Sequence, residues 1–424
     1  MGSARDGEPL TSPLAPTLYI SYDGVLEALG ESQVVAYLER LASSYQITLI
    51  SFEKPRDWRD AVRAARMRTR LTSAGIRWKP LKYHKSPPVL STAVDILRGI
   101  WSAFRWQRQT QGRIVHVRGY VPAMMGLALK RLQRTTLLFD MRGFWADEKA
   151  DAGHWKRGSF LYRVAKRWER AFFESADAIV SLTEAGVKVF PELGYRLPSG
   201  IPIKVIPTCA DLKRFTPGPR RPDLVAQLGL SGHLVIGCVG TMSNWYLRQP
   251  MLDYLAFLLG RMPSLKALIV TAEDLDRLGA DARRSGIAED RLVLMRADFD
   301  EMPELMRLID VGMFFIKPVF SKKGSAATKL AEFLASGVPL VINDGVGDSG
   351  CIVKQHSVGV VLPSITAGDF EASFDRVRAL FDDPDVRLRC RAAAEALFDV
   401  EVGAASYRAT YQEMMRDQIA GGCQ

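Results

Sequence analysis

Residues 319–337 combine a polar, glycine-containing loop with an apolar stretch of helical character. The pattern predicts a helix that begins near Ser325 and ends at Gly337, a natural left-handed C-cap, with Pro339 starting the next strand. The N–H groups at the start of a helix lack intrahelical partners, and together with the helix dipole they suit phosphate oxygens. The segment therefore predicts an anion-binding loop that includes Ser325.

Charged side chains in and beside this loop extend the prediction to a nucleotide diphosphate. Lys322 and Lys329 could stabilise a diphosphate leaving group without a metal, and Lys317 lies just before them. Glu332, one turn after Thr328, could accept hydrogen bonds from two ribose hydroxyls. The alternative for Lys329 and Glu332 is an ordinary ion pair on a surface helix.

Short apolar runs that alternate with amphipathic stretches indicate the elements that position these groups. The rhythm is typical of parallel sheets covered by helices, and it restarts after a proline-rich stretch, so we expect two Rossmann-like, doubly wound domains facing a cleft. The predicted strands are 17–22, 46–52, 113–117, 135–140, 178–183, 234–240, 266–271, 291–295, 310–316 and 338–343. The predicted units are a disordered leader (1–16), an N-terminal domain (17–207), a linker (208–232), a C-terminal domain (233–400) and a C-terminal helix packing back toward the N-terminal domain (401–424).

Composition excludes several classes of protein and site. The five cysteines are scattered, without a Cys-x-x-Cys pair, and the five histidines are dispersed, so we expect a reducing, cytoplasmic location and no metal site. No apolar run is long enough to predict a transmembrane helix. The net charge of +10 comes from residues 1–215, which hold 34 Lys and Arg against 20 Asp and Glu. This excess indicates either an anionic partner or simple solubility.

The stretch 91–113 predicts a helix with an apolar, aromatic side and a basic fringe. Such a helix can lie on the inner face of the cell membrane, where its arginines would meet anionic headgroups. The alternative is a domain helix whose aromatic side chains face its own sheet. The arginines and aromatics form no recognised nucleic-acid reader motif, so no nucleic-acid partner is expected.

Residues 319–348 resemble the donor-site signature of the retaining glycosyltransferases of family 4, which have two Rossmann-like domains in the GT-B arrangement. Residues 19–33 (YISYDGVLEALGESQ) and 205–211 (VIPTCAD) resemble the same family, and 115–120 (VHVRGY) and 139–148 (FDMRGFWADE) resemble one bacterial branch of it. The resemblance implies that Lys329 contacts the diphosphate, and Glu332 the ribose, of a nucleotide-sugar.

One departure from the family concerns the sugar. Many members carry two glutamates separated by seven residues, and the first usually serves the sugar. The position eight residues before Glu332 is occupied by Gly324. Which groups hold the hexose is therefore left open.

A second departure concerns the diphosphate. Many members place Arg and Lys after the glycine of the first strand of this domain, whereas here Gly240 is followed by Thr241. Thr241 is included in the predicted donor site but cannot replace an arginine electrostatically. Lys317, Lys322 or Arg248 would have to complete the site.

His116 is predicted at the end of an N-terminal strand, where a side chain can reach across a cleft. The resemblance implies that a histidine in this region contacts the sugar near the reacting carbon, so His116 and Lys329 form the predicted catalytic set. The alternative is a buried histidine bonded to the backbone. In a retaining reaction of this kind the departing phosphate can itself take the acceptor's proton.

Other candidate residues lie in loops at the predicted cleft. Gly30 would let the backbone approach the donor, or is a plain turn glycine. Asp348 would reach the sugar, or caps the helix that follows. Asp140, Arg142 and Trp145 lie in a charged loop predicted to face the acceptor, with an internal ion-pair network as the alternative.

These features favour a metal-independent, retaining hexosyltransferase that needs no cofactor. It would move a sugar from a UDP- or GDP-sugar to a hydroxyl of a glycan or lipid-linked acceptor, in polysaccharide biosynthesis at the cell envelope. The N-terminal domain would hold the acceptor and the C-terminal domain the nucleotide-sugar. A nucleotide-sugar epimerase, or a catalytically silent nucleotide-binding module as Gly324 and Thr241 allow, are the alternatives.

Overall fold

A computed structural model describes residues 14–421, with all side chains in that range except those of Pro88, Phe299 and residues 417–421. Most of the predicted leader, residues 1–13, lies outside the described residues. Ala15 and Pro16, assigned to the leader, already belong to the first strand. The first strand therefore starts earlier than the apolar run alone indicated.

Two parallel sheets form the centres of the two predicted domains. In the first, the strand order is β3-β2-β1-β4-β5-β6-β7, and in the second it is β10-β9-β8-β11-β12-β13. The strands of the first sheet are β1 (Ala15–Ser21), β2 (Tyr45–Glu53), β3 (Arg77–Lys82), β4 (Ile114–Arg118), β5 (Thr136–Asp140), β6 (Ala178–Ser181) and β7 (Ile203–Val205). Those of the second are β8 (Leu234–Val239), β9 (Leu265–Val270), β10 (Leu292–Met295), β11 (Val311–Phe314), β12 (Leu340–Asn343) and β13 (Gly359–Leu362).

Helices cover both faces of each sheet, as expected for doubly wound domains. In the N-terminal domain they are α1 (Ala28–Gly30), α2 (Ala36–Leu41), α3 (Pro55–Trp58), α4 (Ala61–Ser73), α5 (Pro88–Thr110), α6 (Tyr120–Gln133), α7 (Trp145–Asp151), α8 (Phe160–Ser175) and α9 (Glu184–Val187). After it come α10 (Pro222–Gln227), α11 (Arg248–Arg261), α12 (Leu275–Arg284), α13 (Met302–Arg307), α14 (Thr328–Ala335), α15 (Ser349–Gln355), α16 (Ala367–Asp382), α17 (Val386–Leu397) and α18 (Val400–Gly421). A π-helical segment (Glu31–Val35) joins α1 to α2, and short 3₁₀ helices lie at Phe190–Leu193, Glu289–Arg291, Phe299–Glu301 and Phe320–Gly324.

The three strands that the sequence pattern missed, β3, β7 and β13, all lie at sheet edges. An edge strand is only partly covered, so it carries a weaker apolar signal. β3 reads RWKPLK and contains Pro80, a residue that a sheet tolerates at its edge. β7 has three residues and β13 has four, which is too short for a periodic pattern.

Each sheet has a point where its strand order reverses, between β1 and β4 in the first and between β8 and β11 in the second. Loops leave neighbouring strands in opposite directions there, and this opens a crevice at the carboxyl ends of the strands. Asp23 and Arg118 mark the first crevice, and Tyr246 and Ile316 mark the second. The side chains of all four residues line a common cavity.

The chain crosses between the domains twice, and the two crossings touch. Ala210 N–H donates to Phe398 O at 2.8 Å, and Val400 N–H donates to Ala210 O at 3.2 Å. From this crossing α18 returns to the N-terminal sheet, where Tyr407, Tyr411 and Met414 are buried in the core beside α2 and α4. Among the described residues, no helix is long and apolar enough to cross a membrane.

Candidate active site

A cavity of about 280 Å³ lies between the carboxyl ends of the two sheets. Side chains of both domains line it, because each sheet contributes the loops at its strand-order reversal. The lining includes Asp23, Arg118 and Arg142 from the N-terminal domain and Tyr246, Lys322, Ser325 and Thr328 from the C-terminal domain. The cavity lies at the low end of the size of small-molecule sites, so a nucleotide-sugar needs a wider opening of the cleft.

Lys329 lies in the first turn of α14 and is buried under the ring of Tyr246. Its Nζ is 3.6 Å from the ring centre and donates to Thr241 O at 2.9 Å. Burial lowers the pKa of Lys329 to about 8, although Cys238, Glu332 and Glu273 act against this shift. Helix α14 begins at Thr328 rather than near Ser325, because residues 325 and 327 are extended.

Glu332 follows Lys329 on the same side of α14 and is half-buried. Burial raises its pKa to about 7, while Lys329 and Arg214 pull it down. The two groups are therefore coupled charges that both titrate near neutral pH. An exposed surface pair would keep ordinary pKa values, so these opposite shifts distinguish the pair from the surface alternative.

The loop after β8, Gly240–Asn244, binds a carboxylate of the protein itself, that of Glu273. Glu273 Oε1 accepts hydrogen bonds from Met242 N at 2.9 Å, Ser243 N at 3.0 Å and Ser243 Oγ at 2.7 Å, and also from Thr241 Oγ1. Partial burial raises the pKa of Glu273, but these bonds and Arg248 together hold it at about 2. In this conformation, therefore, Glu273 fills the place where Thr241 was predicted to meet the donor.

The other cations proposed to complete the diphosphate site are differently placed. Arg248 pairs with Glu273 and, at 3.1 Å, with Asp281, so it is directed away from the cavity. Lys322 lines the cavity, but its Nζ lies 2.7 Å from Glu148 Oε1 of α7 and 3.7 Å from the centre of the Trp245 ring. The Lys317 side chain is exposed beside the cavity.

Hydrogen bonds and an aromatic contact hold the segment from Phe320 to Thr328 against the N-terminal domain. Ser321 N–H donates to Asp151 Oδ2 at 2.9 Å, Thr183 Oγ1 donates to Lys323 O at 2.6 Å, and Thr208 Oγ1 donates to Ala326 O at 3.3 Å. The Phe144 and Phe320 rings lie 5.4 Å apart across the same contact. The donor-side loop is thus held in a closed arrangement of the two domains.

Gly324 lies at a close approach between the two domains. A Cβ on Gly324 would lie 3.1 Å from the Phe144 ring and 3.2 Å from Gly143 Cα. A Cβ on Gly347 would lie 2.3 Å from Ser325 O, and one on Gly186 3.1 Å from Gly324 Cα. The glutamate that many family members carry at the position of Gly324 has no room in this arrangement.

Asp348 makes a contact that the sequence did not predict. Its carboxylate accepts from Glu184 N at 2.7 Å and Ala185 N at 2.9 Å, so it caps α9 of the opposite domain. It makes no side-chain cap to α15, the helix that follows it. Both predicted roles for Asp348, the sugar contact and the cap of the following helix, are replaced by an interdomain cap.

His116 lies inside the N-terminal core and does not face the cavity. Its ring is fully buried, its Nδ1 is hydrogen-bonded to Tyr411 Oη at 2.7 Å, and its centre lies 4.3 Å from that of Tyr19. Burial lowers its pKa, although Asp140 acts to raise it. The predicted sugar contact fails here because β4 directs this side chain onto α18. Arg118, two residues further along β4, lines the cavity instead.

The predicted acceptor loop separates into a buried carboxylate, Asp140, and two partly buried side chains, Arg142 and Trp145, that line cavities. Asp140 is fully buried and accepts from Tyr407 Oη at 3.0 Å, so it does not itself face an acceptor. Arg142 lines the cavity, with NH1 3.7 Å from Asp140 Oδ2. Trp145 lines an adjoining cavity and stacks on Tyr120 at 5.9 Å.

Gly30 is buried against the loop that follows β1. A Cβ there would lie 2.0 Å from Gly24 O. Close packing within the domain, rather than approach of the backbone to a donor, requires glycine at this position. Within residues 14–421, no group of three or more His, Cys, Asp or Glu side chains is arranged to hold a metal ion.

Residues 30–209 match the family model of the glycosyl transferase 4-like domain. The chain carries a glycosyl transferase 4-like domain. A search of curated protein sequences gives no significant match.

Solved structures extend the similarity to both domains of the chain. Sucrose-phosphate synthase from Thermosynechococcus elongatus is similar with a TM-score of 0.68 and 15% identity, covering 95% of this chain and 100% of that chain. HepE from Anabaena, in complex with UDP and glucose, has a TM-score of 0.68 and 17% identity, covering 94% and 99%. A glycosyltransferase from Rickettsia africae has a TM-score of 0.69 and 13% identity, covering 95% and 99%. At these identities the similarity concerns the fold, which confirms the predicted GT-B architecture.

The domain match over residues 30–209 and the GT-B fold of the whole chain together support a glycosyltransferase. The epimerase and silent-module alternatives are not favoured by these similarities. Sequence reasoning missed Arg118 and Glu273 as parts of the site. Arg118 had a usable signal, since it ends a central strand at the carboxyl edge of the sheet, whereas Glu273 depends on a contact between distant segments.

A glutamate at position 324, where many members of the resembled family carry one, should weaken the contact between the two domains. In Gly324→Glu the new side chain meets Phe144 and Gly143, and overpacking of this kind costs about 1–3 kcal/mol. Amide hydrogen exchange should accelerate at Ser321, Glu184 and Ala185, whose N–H groups bond across the interface.

Gly260→Glu is the matched control, because a Cβ at this exposed helical glycine meets nothing within 4 Å. Its exchange pattern should equal that of the wild type. Unchanged exchange at all three amides in Gly324→Glu would show that the contact is not as tight as the structure indicates.

Proposed function

We propose that the protein is a metal-independent, retaining hexosyltransferase that uses a UDP-sugar as donor and a hydroxyl of a glycan or lipid-linked saccharide as acceptor. The observation that carries the proposal is the coupled pair Lys329 and Glu332 on α14, beside the cavity between the domains. UDP is preferred over GDP because HepE, a protein of the same fold, is described in complex with UDP and with UDP-glucose.

The donor diphosphate would lie at the start of α14. The first N–H groups of a helix lack intrahelical acceptors, and in α14 the first turn is closed only by the bond from Leu330 N–H to Ala327 O at 3.0 Å. Ser325 and Thr328 line the cavity beside this helix start. Lys329 has further N–H donors beyond the one that it gives to Thr241 O. Because Tyr246 covers Lys329, we expect this ring to move when a donor binds.

Charge stabilisation and positioning would carry the reaction. Lys329 and the helix start stabilise the negative charge that develops on the leaving diphosphate, which then takes the proton of the attacking hydroxyl on the same face of the sugar. Attack from that face retains the anomeric configuration. His116 has no part in this proposal, because its buried ring cannot reach the sugar in this arrangement.

Glu332→Ala should weaken UDP binding by about 10- to 100-fold, because hydrogen bonds to a charged carboxylate contribute about 1.5–3 kcal/mol. Calorimetry with EDTA present measures the effect, and Glu289→Ala, an exposed carboxylate of the same domain, is the control. Slow hydrolysis of a UDP-sugar, followed by NMR, should first release the anomer with the donor's configuration. Failure of the wild type to bind UDP would overturn the donor site, and release of the opposite anomer would overturn retention.

Affinity for UDP-glucose should peak between about pH 7 and about pH 8, the pKa values of Glu332 and Lys329. Below this window Glu332 becomes protonated and accepts ribose hydrogen bonds less well, and above it Lys329 loses its charge. Both phosphates of UDP-glucose are esterified, so the ligand itself does not titrate there. Glu332→Gln should abolish the acid limb and keep the basic limb. An affinity that stays constant in the wild type from well below about pH 7 to well above about pH 8 contradicts the coupled pair.

We further propose that the N-terminal domain rests on an anionic membrane surface. Helix α5 buries Ala103 and Trp106 against the sheet but exposes Leu97 and Trp101, which are 66% and 64% accessible. The alternative of a helix packed on its own sheet holds for the buried face, and the exposed face supports the membrane contact that we propose. The same helix exposes Arg98, Arg105 and Arg108 around the apolar stripe.

A second stripe, which the sequence did not single out, lies on α8. Leu161, Val164 and Trp168 are exposed at helical spacing, with Arg163 and Arg167 beside them. Helices α5 and α8 both pack against α6, so the two stripes belong to one helical layer. Apolar side chains fringed by arginines match the chemistry of a bilayer surface with anionic headgroups.

Trp101→Ser with Leu97→Ser should reduce binding to vesicles of phosphatidylglycerol and phosphatidylcholine by about 10-fold or more, since each large apolar side chain contributes about 1.5–3 kcal/mol when buried. Vesicle sedimentation measures the effect. Leu388→Ser, at an apolar position 71% exposed on the C-terminal domain, is the control. Equal sedimentation of the double variant and the wild type would rule out this surface.

A further inference from the structure

Two arginines of the N-terminal domain border the donor cavity without taking part in the donor site proposed above. Arg118 is the last residue of β4, and Arg142 follows β5 by two positions. Both also line an adjoining cavity of about 260 Å³ that lies on the N-terminal domain beside Tyr22 and Trp145. The two guanidinium groups therefore stand where the donor cavity meets a second space on the acceptor side.

Both guanidinium groups have buried N–H donors that lack acceptors. Arg118 Nε and Arg142 NH1 are shielded from solvent, and neither forms a hydrogen bond with any residue that the structure describes. The side chains are only 4% and 14% exposed. An unsatisfied buried donor costs about 1–3 kcal/mol, and more when it is charged, so such donors point to a ligand that accepts from them.

The carboxylate beneath them neutralises charge without occupying these donors. Asp140 Oδ2 lies 3.7 Å from NH1 of Arg118 and 3.7 Å from NH1 of Arg142, beyond hydrogen-bond distance. Burial raises the pKa of Asp140, but Arg142, His116 and Arg118 together lower it below its ordinary value. Asp140 is thus the one buried carboxylate shared by the two guanidinium groups, and both groups border the cavities.

The remaining carboxylates nearby do not fill the site. Asp23 Oδ2 is 3.8 Å from Arg118 Nε, and its side chain is 58% exposed, so it lies at the mouth of the cavity. Glu148 is bound to Lys322 at 2.7 Å. Arg142 has a φ of 56° and Gly143 a φ of 116°. A non-glycine residue keeps a positive φ only where the surrounding structure imposes it, so the backbone that carries the Arg142 side chain is held in place.

We propose that Arg118 and Arg142 bind a phosphoryl group of the acceptor, so that the substrate is a phosphorylated or diphosphate-linked saccharide. Guanidinium forks bind phosphate oxygens in pairs, and two forks can hold a single phosphoryl group from two sides. The donor diphosphate is the other source of this chemistry, but the donor site proposed at α14 belongs to the other domain. The two arginines also line the adjoining cavity, which no residue of α14 lines. The assignment of this phosphoryl group to the acceptor rests on the proposed function, whereas the phosphoryl site itself does not.

Calorimetry with inorganic phosphate tests the inference, on protein alone and on protein saturated with UDP. Phosphate should bind in both cases, and Arg142→Gln should weaken this binding by about 10-fold or more while changing the UDP Kd by less than about 2-fold. Arg142→Lys keeps the charge beside Asp140 but removes the fork, so it should fold normally and bind phosphate almost as poorly. Arg134→Gln is the matched control, an exposed arginine with a φ of 53° far from both cavities.

The outcomes distinguish an acceptor phosphate from the donor diphosphate, and they distinguish failure of the phosphoryl site from failure of the proposed donor function. If phosphate competes with UDP, and Arg142→Gln and Arg142→Lys weaken UDP binding, the pair serves the donor and the acceptor assignment is overturned. If the folded variants bind phosphate as the wild type does, the phosphoryl site itself is overturned. If UDP binds to no form but phosphate binds through Arg142, the proposed donor function fails while the phosphoryl site stands.

Discussion

The N-terminal half of the site depends on the contacts that the buried carboxylate of Asp140 makes with two arginines and a tyrosine. Asp140 ends β5 in the centre of the domain, accepts a hydrogen bond from Tyr407 of α18, and lies under both Arg118 and Arg142. A carboxylate in this position is costly unless it faces positive charge, and each arginine beside it would be equally costly without it. The three charges therefore fix one another, and they set where the guanidinium groups meet the cleft.

The second constraint is steric. Glycines at positions 143, 186, 324 and 347 let four segments approach within van der Waals contact where the donor-side loop meets the N-terminal domain. Lys322–Glu148 and the Asp348 cap of α9 add polar contacts to the same interface. A cleft closed in this way excludes water from a reaction that relies on charge stabilisation, but the cleft must open to exchange substrates.

Local sequence patterns predicted the parts of this molecule that depend on local rules. The two parallel sheets follow from apolar runs separated by amphipathic helices, and the end of α14 at Gly337, with a φ of 74°, follows from the need for a left-handed residue. Such rules could not place the start of α14, because residues 325–327 are extended by contacts with the other domain.

The parts of the site that sequence reasoning missed depend on contacts between distant segments. His116 lies inside the core because a tyrosine 295 positions away reaches it, and Asp348 caps a helix 164 positions before it. Glu273 enters the loop after β8 from the end of another strand, and no spacing rule links the two. Charge at the carboxyl end of a central strand, as at Arg118, is the signal that deserved more weight.

The docking of α18 has a consequence for how the protein is made. The N-terminal domain is synthesised first, yet Tyr407, Tyr411 and Met414 of its core, and the hydroxyl that binds Asp140, come from a helix that follows the whole C-terminal domain. On the ribosome, this half must wait with an uncovered core face and an incompletely bonded carboxylate while nearly half of the chain is translated. Vectorial synthesis therefore supplies the whole C-terminal sheet before the last helix of the N-terminal core, so the N-terminal half of the site is completed last.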